Sequence, residues 1–143
     1  MTTVQKCISA KGAKIYSVSS TDTVHNALQL MRDNRIRSVM VIDSKKLVGI
    51  ISQGDCAIKV LLPGKNATST VVASVMTTNP LTVTFENTLS ECMAIMDLKR
   101  IRHLPVVNNG DVAGLISIGD IVKTLMSDQD SQIKFLEIYI RGH

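Results

Sequence analysis

A chain of 143 residues, 45% hydrophobic and 20% charged, has the length of one ordinary domain and enough apolar mass for a core, which excludes wholesale disorder. Aromatic residues make up 3% and Trp is absent, so the core is aliphatic, and the scarcity of rings argues against a base-stacking single-strand binder. The net charge of +4 is mild beside the basic face of a dedicated nucleic-acid domain, and suits a solvated mixed surface with a few locally placed arginines.

Taken in chain order, residues 1–14 lack an apolar run, so no signal peptide is expected. Ile15–Val18 reads as a short extended piece. Val24, Ala27, Leu28 and Met31 follow the i, i+3, i+4, i+7 spacing of a helix with one apolar face, capped by Asp22 or Thr23. Val39–Ile42 and Val48–Ile51 are apolar runs separated by Asp43-Ser44-Lys45, which predicts a hairpin. A second helix follows Gly54-Asp55 and stops at Pro63-Gly64. Residues 63–74 read as a polar linker.

The same order then repeats. Residues 18–61 fall on 83–126 without a gap, with Thr23/Thr88, Met31/Met96, Arg35/Arg100, Arg37/Arg102, Gly49/Gly114, Ser52/Ser117 and Asp55/Asp120 identical. Leu81–Val83 is the extended piece. Leu89, Cys92, Met93 and Met96 form the helical face, with Asn87 or Thr88 as cap. Leu104–Val107 and Val112–Ile116 are the strands. Beyond them, Val122, Leu125/Met126, Ile133, Leu136 and Ile140 keep helical spacing, with a break expected at residues 127–131. The motif boundaries are thus 8–62 and 75–128, with a helical tail at 129–143. Each β-α-β-β-α unit is too small to stand comfortably alone, so the two are expected to pack into one pseudo-symmetric α/β domain.

No hydrolytic, P-loop or dinucleotide glycine motif is present, so the chain is not read as an enzyme. Cys7, Cys56 and Cys92 lie far apart in apolar patterns without a CxxC pair. Cys56 and Cys92 read as buried thiols, and the odd, scattered set suits a reducing, cytoplasmic setting with no metal site. No stretch approaches the ~18 apolar residues of a membrane span. What does recur is Gly-Φ-Φ-Ser-x-Gly-Asp, at Gly49–Asp55 and Gly114–Asp120. A strand ends at the Ser and a helix begins near the Asp. Structurally this is a capping box. Chemically, a carboxylate accepts hydrogen bonds from a ribose diol. Upstream, Arg37 and Arg102 supply the bidentate donor that a phosphate takes, and the helix start adds N–H groups.

At these residues the chain resembles a tandem pair of CBS domains, a Bateman module. The carriers are Arg100–Val107, Gly114–Val122 and the lead-in Val75-Met76-Thr77 with Asn79–Val83. The likeness is to small stand-alone bacterial members. It implies two β-α-β-β-α CBS motifs packed through their sheets as one Bateman module, with adenosine-bearing ligands in clefts between the motifs and disc-like homodimers. Carried over, Asp55 and Asp120 hold ribose diols, and Ser52 and Ser117 contact phosphate. Arg37, Arg102 and His103 reach phosphate from the neighbouring strand. Lys14–Ser17 and Thr78–Leu81 frame adenine, through Ile15, Tyr16, Thr78, Pro80 and Leu81. Relatives often carry a Ser-Glu-Arg-Asp-Tyr-type segment in the first copy, where this chain has Ser52-Gln53-Gly54-Asp55-Cys56. The function implied is regulatory sensing of AMP, ADP, ATP or NAD(H), read by a protein partner in trans, with no obligatory cofactor. The alternatives are a structural oligomerisation unit with vacant clefts, and nucleic-acid binding through Arg32, Arg35, Arg37, Arg100 and Arg102.

Overall fold

The computed structural model describes residues 1–12, 14–127 and 136–141. The chain forms two compact units. Tyr16–Pro80 make one, and Met1–Ile15 join the chain from Leu81 onward to make the other.

In the unit Tyr16–Pro80, strand β1 (Ser17–Val18) pairs in parallel with β2 (Ser38–Asp43), placing Val18 opposite Val41. Between them runs helix α2 (Val24–Asn34), whose Thr23 side chain accepts from Asn26 N–H as the N-cap. Its buried face is Val24, Ala27 and Met31, the spacing read from sequence, with Leu28 packed at the edge. Strand β3 (Lys46–Ser52) returns antiparallel to β2. The turn residues Ser44 and Lys45 both have positive φ, 49° and 66°, as a two-residue hairpin of matching twist requires. Helix α3 (Gln53–Cys56) starts at Ser52 and widens into a π turn over Ala57–Leu61. A 3₁₀ turn (Val72–Ser74) leads into β4 (Thr77–Thr78), which closes the sheet order β1-β2-β3-β4. Residues 63–74, expected to be a polar linker, therefore contribute to the core through Val72, which is fully buried, as is nearly the case for Val75 just beyond them.

In the other unit, Val83 bridges Val106 in parallel, as Val18 does Val41. Helix α4 (Leu89–Lys99) buries Leu89, Cys92, Met93 and Met96, the four positions expected. Strands β5 (His103–Asn108) and β6 (Asp111–Ser117) form the hairpin. Its turn is Asn109-Gly110, again with two positive φ values, and an Asn-Gly pair adopts these at little cost. Helix α5 (Ile118–Met126) follows Ser117.

One helix lies outside the repeat pattern. Helix α1 (Val4–Lys11) is capped by Thr3, buries Val4 and Cys7, and ends at Gly12 with φ 97°. It packs in the unit of the second repeat, against α5 and β6. Its docking repeats that of Val71–Met76 in the other unit. Val4 N–H donates to Asn87 O at 2.9 Å, and Val72 N–H to Asp22 O at 2.8 Å. Leu89 N–H donates to Thr2 O at 3.0 Å, and Val24 N–H to Thr70 O at 2.8 Å. The segment ahead of each repeat thus completes the unit of the other repeat.

Helix α5 ends at Met126, and residues 136–141 are helical. Leu136 and Ile140 are 52% and 71% exposed, and Ile138 is the residue packed on the core. A helix places i and i+4 on one face and i+2 on the other, so Leu136 and Ile140 share an exposed face and the partly buried Ile138 lies opposite. Ile133, residues 128–131 and His143 lie outside the described residues.

Candidate functional site

The repeated Gly-Asp motif forms the same strand-to-helix junction twice. Ser117 Oγ accepts from Asp120 N–H at 3.1 Å, and Asp120 Oδ2 accepts from Ser117 N–H at 2.8 Å. Ser52 and Asp55 make the same pair at 3.1 and 3.0 Å. These are complete capping boxes, so the serines and aspartates have a structural task whatever else they do. Each Asp is held at the first turn of a helix, where the backbone N–H groups favour negative charge.

The strand starts lie beside these junctions. His103 stands opposite Ser117 in the β5–β6 register and is half-buried. Ser38, its equivalent, stands opposite Ser52 and is buried. The exposed Arg37 and Arg102 precede them, and their carbonyls accept from Gln53 and Ile118 N–H at 3.0 Å each. The backbone of each arginine is thus fixed to the start of the helix that carries the aspartate. Arg35 and Arg100 adopt left-handed φ, 53° and 54°, as helix C-caps, which explains their recurrence structurally.

Arg102 also lines a groove of about 870 Å³ with Arg100, Arg141 and Asp97 on an apolar wall of Met93, Ile101, Ile118 and Ile138. Among the described residues lining it, neither Ser117 nor Asp120 is found. The structure therefore brings Ser117, Asp120 and His103 to one junction, whereas the Arg102 side chain borders a neighbouring groove. Of the expected adenine frame, Ile15 and Leu81 are exposed and belong to one unit, while Tyr16, Thr78 and Pro80 belong to the other. Thr78 sits in β4, paired with Gly49.

Two lysines complete the junctions, and neither was singled out from the sequence. Lys11 Nζ lies 2.7 Å from Asp120 Oδ2 and donates to Leu115 O at 2.6 Å. Lys59 Nζ donates to Val75 O at 3.0 Å and lies 3.8 Å from Asp55 Oδ1. The Asp55–Lys59 spacing of four residues is a signal readable on any helix. Lys11 carried none, because its partner is 109 residues away.

These contacts set the carboxyl's acidity. Burial pushes Asp120 upward, but the Lys11 hydrogen bond and charge and the Ser117 hydrogen bonds outweigh it and hold the carboxyl below its usual value. Asp43 is lowered through hydrogen bonds from Ser20 and Ser19, and Glu91 through those from Thr88 and Asn87. A folded value below the unfolded one means stability that is present above the unfolded pKa, ~4. It is lost as pH falls through the folded value. Melting temperature is therefore expected to decline as the buffer goes below about pH 4. Asp120→Asn is expected to start lower at pH 7 and to decline less over the same range, as thermal unfolding at several pH values will show.

The cysteines are buried and free. Burial, aided by Asp55, pushes the Cys56 thiol up to about 11, and burial, aided by Glu91, pushes Cys92 up to about 12. Cys7 is raised as well, by burial first. A thiol reagent needs an accessible thiolate. Native protein at pH 8 is expected to react at none of the three within the time that denatured protein reacts at all of them. Rapid native labelling of one cysteine would contradict this.

Among the described residues no helix is long and apolar enough to cross a membrane, and no three His, Cys, Asp or Glu side chains converge as metal ligands.

Comparison with known proteins agrees with the repeat. The family model for the CBS domain matches residues 11–61 and again 72–127. The CBS domain-containing protein CBSX3, mitochondrial, of Arabidopsis thaliana is 31% identical over 139 residues, spanning 94% of this chain and 67% of that protein. The chain covers only 20% of the Arabidopsis protein CBSCBSPB2. A solved structure of a protein with CBS domains from Burkholderia ambifaria MC40-6 is 39% identical, with a TM-score of 0.86 over 90% of this chain and 96% of that one. The CBS domain pair of protein MJ0100, solved in complex with 5′-methylthioadenosine and S-adenosyl-L-methionine, has a TM-score of 0.79 at 23% identity, over 90% of this chain and 99% of that one. Two matched repeats, each folded as a helix, a β-hairpin and a further helix that starts at a Ser-x-x-Asp junction, make this chain a member of the CBS-domain family with two CBS domains in tandem.

Proposed function

We propose that the chain is a regulatory module that binds adenosine-containing ligands, of the AMP, ADP, ATP or NAD(H) class, and signals to a protein partner in trans, working as a homodimer in the cytoplasm. The observation that carries this reading is the doubled junction. An aspartate is oriented by backbone at Asp55 and again at Asp120, each partly exposed, and the backbone carbonyl of Arg37 or Arg102 is bonded to the start of the same helix. A carboxylate in that position accepts from a ribose diol, and a nearby guanidinium pairs with phosphate. The adenosine ligands bound by the MJ0100 pair support the class of ligand at the level of the fold. The roles assigned to Ser52, Ser117, Arg37, Arg102 and His103 at phosphate, and to Ile15, Tyr16, Thr78, Pro80 and Leu81 at adenine, belong to the same proposal.

A ligand that binds only the folded state raises stability by about 2.7 kcal/mol at a hundredfold excess over Kd. Ligand-stripped protein is therefore expected to melt several degrees higher with at least one of AMP, ATP, NADH or S-adenosylmethionine. The Asp55→Ala, Asp120→Ala double variant is expected to lose that shift while still melting cooperatively. If none of the four ligands moves the wild-type melting temperature, the nucleotide reading fails.

A further inference from the structure

The junction in the second repeat differs from its counterpart by one feature that the repeat does not contain. Lys11, the last residue of α1, brings an ammonium to Asp120 from a helix that precedes both repeats. Its two acceptors are Leu115 O, near the end of β6, and Asp120 Oδ2, in the first turn of α5. The ammonium therefore sits on the strand-to-helix junction itself.

The hydrogen bonding at this pair is lopsided. Asp120 Oδ2 takes both Lys11 Nζ and Ser117 N–H. Among the described residues Oδ1 accepts no hydrogen bond, and Lys11 donates to the two acceptors named. A carboxylate offers about four lone-pair sites and an ammonium three donors. The pair thus retains acceptor capacity on Oδ1 and one N–H on Lys11. The side chains are 23% and 34% exposed, so a ligand can reach them. In the first repeat the arrangement is different. Lys59 Nζ is hydrogen-bonded to Val75 O and stands 3.8 Å from Asp55, beyond hydrogen-bond length. Among the described residues no side-chain donor is hydrogen-bonded to Asp55.

A vicinal diol needs both kinds of partner, because each hydroxyl is at once a donor and an acceptor. We propose that Lys11 and Asp120 act as one donor–acceptor couple that selects ligands with an intact 2′,3′-diol, Asp120 Oδ1 accepting from one hydroxyl and Lys11 donating to its neighbour. This deepens the nucleotide reading and rests on it. It assigns to Lys11 a specificity role at the second repeat, and it makes that repeat stricter about the 2′-hydroxyl than the first.

The test uses the full chain with Asp55→Ala as background, so that the second repeat alone reports. Isothermal calorimetry compares AMP with 2′-deoxy-AMP in that background, with Lys11 intact, Lys11→Met and Lys11→Arg. With Lys11 intact, AMP is expected to bind about tenfold or more tighter than 2′-deoxy-AMP, the scale of a hydrogen bond to a charged group. Lys11→Met is expected to bring the two ligands to within about threefold of each other, and Lys11→Arg, which keeps a donor, to restore part of the preference. A purely structural Lys11 lowers the melting temperature of the Met variant but leaves the ligand ratio unchanged, and that result overturns the proposal. If AMP binds, Asp120→Ala abolishes binding, and Lys11→Met preserves the ratio, the couple is wrong and the nucleotide reading stands. If no ribose-bearing ligand binds the intact protein, both are wrong.

Discussion

Ile116→Ala is expected to cost about 2–5 kcal/mol of folding stability, and Ile51→Ala a similar amount. Both side chains are fully buried. Each sits in the inner register of its hairpin, Ile116 opposite Leu104 and Ile51 opposite Val39. Leu104 and Val39 are themselves fully buried, so truncation leaves a void lined by residues that cannot close on it. Ile116 packs with Val4, Cys7, Leu89 and Ile121 in one core, and Ile51 with Val24, Met31 and Val72 in the other. Each variant therefore probes one unit. Urea unfolding will read the loss as a lower midpoint at unchanged slope. A loss below about 1 kcal/mol in either variant would mean that its core collapses around the gap, contrary to the packing described.

Gly49→Ala is expected to be the most damaging single-methyl addition, at about 1–3 kcal/mol. A Cβ on Gly49 meets Met76 Sδ at 2.6 Å and Thr77 O at 2.9 Å. The methionine is flexible and can yield. The carbonyl cannot, because Thr77 and Thr78 pair with Ile50 and Gly49 across β3–β4. Adding the methyl group pushes β4 off the sheet edge and pulls on Val72 and Val75, which that segment buries. Gly54→Ala is the control, since its nearest non-neighbour atom is Ser52 Oγ at 3.7 Å. Equal stability of the two alanine variants would show that β4 is not held as described.

The glycine also shows how far the repeat explains itself. Gly49 and Gly114 are aligned, and each admits a close neighbour, Met76 in one unit and Ile8 in the other. Met76 and Ile8 belong to the segments that dock ahead of each repeat. The alignment signalled that the position is special, but the neighbour that makes it so comes from outside the repeat.

The candidate site divides in the same way. Ser52, Asp55, Ser117 and Asp120 were legible because a capping box is a contact between residues three apart, and a strand followed by a helix places it. Helix α1 has a weak local signature, in which Thr3, Val4, Cys7, Ile8 and Gly12 carry a cap, a partial apolar stripe and a stop. The strip is short and its outer face polar, so periodicity over eight residues gave little contrast.

By itself, then, the sequence determined what depends on neighbours along the chain. That includes two helical faces of matching spacing, two tight hairpins, two Ser-x-x-Asp junctions, and an aliphatic core split over a repeat. Only the tertiary structure decided which segment completes which unit, and with it the cation at Asp120. The physical reason is range. A cap or an apolar stripe is set by contacts within about one or two helical turns, so the residues that make it are read together. The Lys11–Asp120 bond closes over 109 residues, and its energy is realised only after α1 has buried Val4 and Cys7 against the second repeat.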